Sequence, residues 1–186
     1  MSILNGNISI VIGSWGSYNE CNERALGSSW LDLSEFDSWD EIEEELTKQG
    51  FKLDGIDEEL FIQDIEGIPC SSTNWDYMNP KTLFEVLNDA DVLDNSYNYD
   101  LMCAFIEARS FDDFIDRVNS KGCRWTNDIY FYKNYSWEDY GRNYYEDLGL
   151  KLPSSLEDCI DFEEYGRYLG SGYVTEIDDG LIEIID

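Results

Sequence analysis

Histidine is absent from this chain of 186 residues. Histidine is the most common general base and metal ligand, so its absence excludes Ser-His-Asp and Cys-His catalysis and most catalytic zinc sites. The glycines form neither a GxxxxGK[ST] phosphate loop nor a GxGxxG dinucleotide motif. Paired carboxylates could serve a glycosidase, but with 41 acidic residues no particular pair stands out. We therefore predict a protein that is not an enzyme, with no catalytic residue, cofactor or metal.

Long apolar segments and paired cysteines are also missing. No run of about 18 apolar residues occurs, and the first residues lack the basic region and cleavage site of an export signal. The five cysteines include no CxxC pair, which favours reduced thiols. They are Cys21, Cys70, Cys103, Cys123 and Cys159. These absences predict a soluble cytoplasmic protein without a membrane partner.

Positive charge is scarce, with 12 Lys and Arg against 41 Asp and Glu and a net charge of −29. Such a chain should repel nucleic acid and anionic lipid and attract basic partners. Aromatic residues make up 15% of the sequence, which favours a folded chain over a disordered one. Two other interpretations of the acidity stay open, namely adaptation to high salt and weak cation binding in the Asp-rich segment 32–40.

The average charge density is lower than that of DNA. A compact protein of this mass exposes about 9,200 Å², or one net charge per about 320 Å². B-DNA carries one charge per about 1.7 Å of axis, which is about threefold denser on its surface. Only a patterned or elongated protein could imitate DNA.

Apolar periodicity predicts a small α+β unit in residues 1–66. Alternating apolar residues favour strands at 8–15, 28–33 and 59–65. Between the last two strands, Ser38 and Glu41 have the spacing of a capping box. The helix that follows should bury Trp39, Ile42 and Leu46 and expose its acidic residues.

The rest of the chain predicts a helical middle and a second α+β unit. Helices are expected at 80–93, 97–108 and 111–119, at 137–148 after Ser136, and from Asp161 onward. A strand is expected at 128–133, and Asp179-Gly180 predicts the tight turn of a terminal hairpin. The predicted fold class is thus α+β, an elongated chain of three small domains. Their predicted bounds are 1–66, 67–109 and 110–186.

A hexapeptide pattern recurs within the last of these domains. WEDYGR at 137–142 and FEEYGR at 162–167 lie 25 residues apart. On a helix the aromatic residue, the tyrosine and the glycine share one stripe, while the Glu and Arg form an i,i+4 pair outside it. A glycine inside a helix costs about 1 kcal/mol, so both glycines indicate close contact with another element. We favour ordinary helix packing over an interface role.

Carboxylates recur in clusters on the predicted helices, which raises the hypothesis of DNA mimicry. A rigid surface of closely spaced carboxylates could compete with DNA for a basic binding cleft. The candidate acidic surface comprises Asp37, Asp40, Glu41, Glu44, Glu45, Asp57, Glu58, Asp112, Asp113, Asp116, Glu138, Asp139, Glu146, Asp147, Glu163 and Glu164.

Several segments resemble the ArdA antirestriction proteins, DNA mimics carried by mobile genetic elements that block type I restriction-modification enzymes. Residues 152–185 contain P-x-x-L, I-D-F and Y-G-R-x-L followed by an acidic hairpin, as that family does. The amino-terminal segments YN at 18–19, LG at 26–27, WLD at 30–32 and FIQDIEG at 61–67 are also similar. The resemblance covers most of the chain outside residues 68–125.

The resemblance implies a curved homodimer, joined through the carboxyl-terminal domain, in the cytoplasm of a bacterial host. The family's antirestriction motif corresponds to residues 135–150. Its expected packing and interface residues are Trp137, Tyr140, Gly141, Tyr144, Tyr145 and Leu148. The implied partner is the methyltransferase core of specificity and modification subunits, with no direct nucleic-acid binding. The alternative is an acidic adaptor that binds a basic protein other than a nuclease.

Overall fold

The computed structural model describes residues 7–69, 75–149, 153–157 and 159–185. The strands are β1 (Ser9–Ser14), β2 (Leu31–Asp32), β3 (Leu60–Glu66), β4 (Ile129–Lys133), β5 (Val174–Ile177) and β6 (Gly180–Ile184). The helices are α1 (Trp15–Glu20), α2 (Trp39–Lys48), α3 (Pro80–Asp89), α4 (Ser96–Ala108), α5 (Phe111–Lys121), α6 (Trp137–Asp147), α7 (Ser154–Glu157) and α8 (Phe162–Leu169). The predicted α+β class is confirmed.

The first sheet has the antiparallel order β2-β1-β3. Ile8, Ile10 and Ile12 alternate along β1 and its flank, and all three are buried in the core. Helix α2 buries Trp39, Ile42 and Leu46, as its 3.6-residue period predicts. The predicted unit of sheet and helix therefore forms from these residues.

Two local predictions in this unit are wrong in detail. The strand predicted at 28–33 shortens to Leu31–Asp32, because the Ser28 hydroxyl accepts the Ile12 N–H at 3.0 Å in place of a ladder carbonyl. Ser38 is the N-cap of α2 but makes no capping hydrogen bond with its side chain. The Glu41 carboxylate instead accepts the N–H of Asp37 at 2.9 Å. Of the two capping-box hydrogen bonds, only the one to the glutamate forms, and its donor is the residue before the N-cap.

The middle helices begin within one residue of their predicted starts. Asn79 caps α3 and Pro80 follows at its first turn, while the Ser110 hydroxyl caps α5 by accepting the Asp113 N–H. Helix α3 ends at Asp89, four residues before the predicted end, since Asp91 adopts a positive φ of 53° that breaks the helix.

The second sheet has the antiparallel order β4-β6-β5. The terminal hairpin forms, but its two-residue turn is Asp178-Asp179 rather than the predicted Asp179-Gly180, because Ile177 pairs with Gly180. Gly180 has φ 138°, and a Cβ there would overlap the Tyr132 carbonyl oxygen. This glycine therefore serves the close approach of β6 to β4.

Helix α4 is tied to the second sheet by polar contacts. The Lys133 ammonium lies 2.6 Å from the Asp100 carboxylate, and the Asp178 N–H donates to Glu107 at 2.6 Å. One apolar cluster extends from Ile8 to Ile184. The domain bounds at 66 and 109 stay a prediction. Among the described residues, no helix is both long and apolar enough to cross a bilayer.

Candidate functional site

Helices α6 and α8 pack through their two glycines. A Cβ on Gly141 would overlap the carbonyl oxygen of Phe162, and a Cβ on Gly166 would overlap that of Trp137. The two contacts are reciprocal, because the first residue of each hexapeptide meets the glycine of the other. Each glycine thus allows the backbones of the two helices to touch.

Each hexapeptide arginine also contacts the first residue of the other hexapeptide. Arg142 pairs with Glu138 at 2.9 Å, and its guanidinium lies 4.3 Å from the Phe162 ring centroid on the other helix. Arg167 pairs with Glu163 at 3.1 Å and lies 5.3 Å from the Trp137 ring centroid. The internal sequence similarity is therefore explained by packing within one chain, which was the interpretation favoured from sequence.

The antirestriction-motif residues divide between core and surface. Trp137, Tyr140, Gly141 and Tyr145 are buried inside the protomer. Two others remain accessible, with Tyr144 45% exposed and Leu148 50% exposed. Within a single chain, only this second group is free to contact a partner.

A cleft of about 660 Å³ opens beside the exposed face of α6. The Glu183 carboxylate accepts hydrogen bonds from the hydroxyls of Tyr132 at 3.0 Å and Tyr140 at 3.4 Å. Burial, together with the Glu183 charge, raises the pKa of both tyrosines well above its usual value. Tyr144 and Tyr173 complete the aromatic lining. The cleft wall thus combines aromatic rings with the Glu183 carboxylate and the Arg109 guanidinium.

Sequence reasoning missed the cleft residues Tyr132, Tyr173 and Glu183. They lie on β4, before β5 and on β6, and no spacing in the sequence brings them together. The only available signal was the strand alternation that places Tyr132 and Glu183 on paired strands. Their contact depends on the β4-β6 register, in which Tyr130 is opposite Glu183.

The most concentrated acidic cluster lies on α2. Asp40, Glu41 and Glu44 are exposed and form no ion pair within the described part of the chain. They span about 6 Å of helix axis at 1.5 Å per residue. The same length of B-DNA carries about 3.5 charges. Helix α2 therefore reaches nearly the linear charge density of a duplex, although the whole surface averages far less.

Several other predicted acids bond within the chain, as Glu41 does with the Asp37 N–H. Glu138 and Glu163 pair with arginines, and Glu45 lies 3.5 Å from Lys48. Asp139 completes the capping box with Ser136, and this hydrogen bonding lowers the pKa of Asp139. Asp113 accepts a hydrogen bond from Ser110 at 2.6 Å. The remaining exposed members of the predicted surface are Asp37, Glu58, Asp112, Asp116, Glu146, Asp147 and Glu164.

A comparison with protein families agrees with these motifs. The sequence model of the family described as "Antirestriction protein (ArdA)" matches residues 10–183. The chain belongs to the ArdA family. No curated protein matches it. As an ArdA protein the chain is an antirestriction protein, and its expected interactions are with restriction-modification enzymes.

One residue of the predicted acidic surface is wrongly placed. Asp57 of this ArdA protein is fully buried, where it accepts hydrogen bonds from the Ser17 hydroxyl, the Arg24 guanidinium at 3.0 Å and the Lys52 N–H at 2.8 Å. Burial alone would raise the pKa of Asp57, but these donors outweigh it and lower the pKa. Asp57 therefore fastens α1 and the turn after it to the segment before β3.

We expect Asp57→Asn to destabilise the fold by about 3 kcal/mol, because it leaves the Arg24 charge without its partner. Since the folded pKa is lowered, the stabilisation by Asp57 is present above the unfolded pKa and is lost as pH falls through the folded pKa. The free energy of unfolding, measured with urea across acidic pH, should therefore fall less steeply with decreasing pH in the variant than in the wild type. Asp54→Asn, at an exposed position of the same turn, is the control. Equal stability of the two variants at neutral pH would contradict this role.

Acidic and cysteine side chains are the possible metal ligands of this chain. Within the described residues, no three such side chains converge on a possible metal site. Cys21, Cys103, Cys123 and Cys159 are free thiols, and burial raises the pKa of Cys103 to about 12. Cys70 lies outside the described residues.

Proposed function

We propose that this ArdA protein is a DNA mimic that occupies the DNA-binding groove of a type I restriction-modification enzyme. The observation that carries the proposal is the α2 cluster of Asp40, Glu41 and Glu44, exposed at nearly the linear charge density of a duplex. A rigid, buried apolar face holds these carboxylates on one side of the helix. The cluster can thus compete for arginines and lysines that bind phosphates.

The proposed target is the methyltransferase core, formed by specificity and modification subunits. Occupation of its groove would block both modification and restriction by simple exclusion of DNA, with no covalent step. The net charge of −29 would attract the basic groove over long range, so association should be fast and should weaken as salt rises.

We propose that a homodimer brings together the acidic surfaces of two copies of the chain. The exposed Tyr144 lines the cleft together with Tyr173 and Ile185, which are also exposed. Leu148, one turn further along at the end of α6, is exposed as well. Apolar side chains grouped in this way are typical of interfaces. Two copies carry twice the −29 of one chain, which equals the charge of about 30 base pairs of B-DNA.

We expect the double change Tyr144→Asp and Leu148→Asp to shift the protein from dimer to monomer without unfolding it, because both side chains are exposed. Analytical ultracentrifugation at micromolar concentration measures the mass, and circular dichroism verifies the fold. Tyr168→Asp is the matched control, since Tyr168 is 78% exposed on α8. A variant that remains dimeric would place the interface elsewhere.

The function is tested by assaying DNA cleavage and DNA methylation by a purified type I enzyme with increasing amounts of the protein. Groove occupation predicts inhibition of both reactions with the same concentration dependence. Inhibition of cleavage alone would contradict binding to the shared methyltransferase core. Absence of both effects would favour the acidic adaptor.

A further inference from the structure

Three aromatic side chains form a cluster on the outer side of the first sheet. The Trp15 and Phe61 rings stack with centroids 4.2 Å apart and planes 23° from parallel. Tyr18 meets both rings edge-on, at 6.1 and 6.4 Å. Phe61 is buried, but Tyr18 is 54% exposed. The cluster thus presents ring surface to solvent on a fixed base.

A glycine on β1 leaves the space that this cluster occupies. A Cβ on Gly13 would lie 2.6 Å from the Phe61 ring, so glycine is needed for the ring to lie on β1. Core burial explains Phe61, but it does not explain why the Tyr18 ring, which contacts it, is 54% exposed.

The surroundings of the cluster are acidic. Glu20 and Glu23, two and five residues after Tyr18, are exposed. Glu59 is also exposed, and its backbone carbonyl accepts the backbone N–H of Trp15 at 3.0 Å. Arg24 is the only basic residue in segment 7–31, and its guanidinium is bound to the buried Asp57. The charge next to the rings therefore complements a cationic partner.

Elsewhere in the chain, arginine side chains occupy sites made of an aromatic ring and a nearby glutamate. Arg142 lies over the Phe162 ring while it pairs with Glu138. Arg167 lies over the Trp137 ring while it pairs with Glu163. A guanidinium suits these sites because its plane stacks on a ring while its edge donates to a carboxylate, whereas an ammonium acts as a point charge.

We propose that Trp15 and Tyr18 form a contact patch for arginine side chains on the basic groove of the protein partner. This inference rests on the proposed function, because it assumes that a basic protein groove is the target. The rings stack on guanidinium groups and the neighbouring glutamates pair with them. The patch adds an attraction that salt screens less than it screens the exposed carboxylates.

The first test uses two ten-residue peptides, one of arginine and one of lysine, with the full chain. We expect the Trp15 indole N–H signal to shift in NMR titrations, with about two- to fivefold tighter binding at this signal for the arginine peptide. Tyr18→Ala should abolish that preference. Tyr97→Ala is the matched control, because Tyr97 is 61% exposed on α4, far along the chain from the patch. Equal shifts with both peptides, or a preference that survives in Tyr18→Ala, would overturn the proposal.

The second test measures displacement of a duplex from a type I methyltransferase by each variant. We expect Tyr18→Ala to need about two- to fivefold more protein than the wild type or Tyr97→Ala, with the same dependence on salt. If the wild type displaces DNA and Tyr18→Ala does so equally well, the patch is wrong and the mimic stands. If the wild type fails to displace DNA, the proposed function fails, and the peptide titration still decides whether the patch binds arginine.

Discussion

Gly141→Ala is expected to lower the free energy of unfolding by about 2 kcal/mol, the usual range for overpacking a tight contact. The added methyl group would overlap the Phe162 carbonyl, which is backbone and cannot rotate away. The helix pair α6 and α8 would have to separate. For a chain of this length the melting temperature should fall by about 5 °C, measured by calorimetry.

Gly55→Ala is the matched control for this change. Its Cβ would meet Lys52 atoms at 3.6 and 3.9 Å, which are ordinary contacts, and its φ is not positive. We expect it to be neutral or slightly stabilising, because alanine restricts the unfolded chain. A Gly141→Ala variant as stable as Gly55→Ala would contradict the close helix contact.

Reversal of the α2 cluster by Asp40→Lys, Glu41→Lys and Glu44→Lys should weaken binding to a type I methyltransferase by at least roughly tenfold at low salt. These three carboxylates are exposed on one helix, and their reversal converts attraction for phosphate-binding residues into repulsion. The dissociation constant is measured by fluorescence anisotropy of labelled protein. The single change Glu44→Gln should have an effect of less than about twofold, because the attraction is distributed.

A second triple variant distinguishes the effect of the α2 cluster from the effect of net charge alone. Asp54→Lys, Asp89→Lys and Asp94→Lys make the same change in net charge at exposed positions outside α2. When both triple variants are measured at physiological salt, we expect a smaller loss of affinity for this control, because charges more than a Debye length of about 8 Å from a contact are then largely screened. Equal losses in both triple variants would indicate a general charge effect without mimicry. Complete loss in Glu44→Gln would indicate one dominant contact instead.

Helix starts are predicted well where a local signal precedes an apolar period. Pro80 lies at the first position of α3 and Ser136 caps α6, because these signals act within one turn. The hairpin turn was displaced by one residue for a tertiary reason. Gly180 is required by the neighbouring carbonyl of Tyr132 on β4, and this contact is not visible in the local sequence.

The candidate site was predicted in part. The repeated hexapeptides indicated that Gly141 and Gly166 make close contacts, and the structure shows that they contact each other's helices. Charge patterning also placed Asp40 and Glu44 on an exposed face. It failed for Asp57, because a carboxylate that folds onto Arg24 looks like any other acid in the sequence.

The proposed mimicry requires this protein and DNA to compete for one groove. The most direct measurement is titration of the protein into a type I methyltransferase bound to a labelled duplex, at low and at moderate salt, with DNA release followed by anisotropy. Competition for the groove predicts full release by the wild type, weaker release as salt rises, and poor release by the α2 triple variant. A duplex that stays bound at large excess of protein in both salts would contradict it.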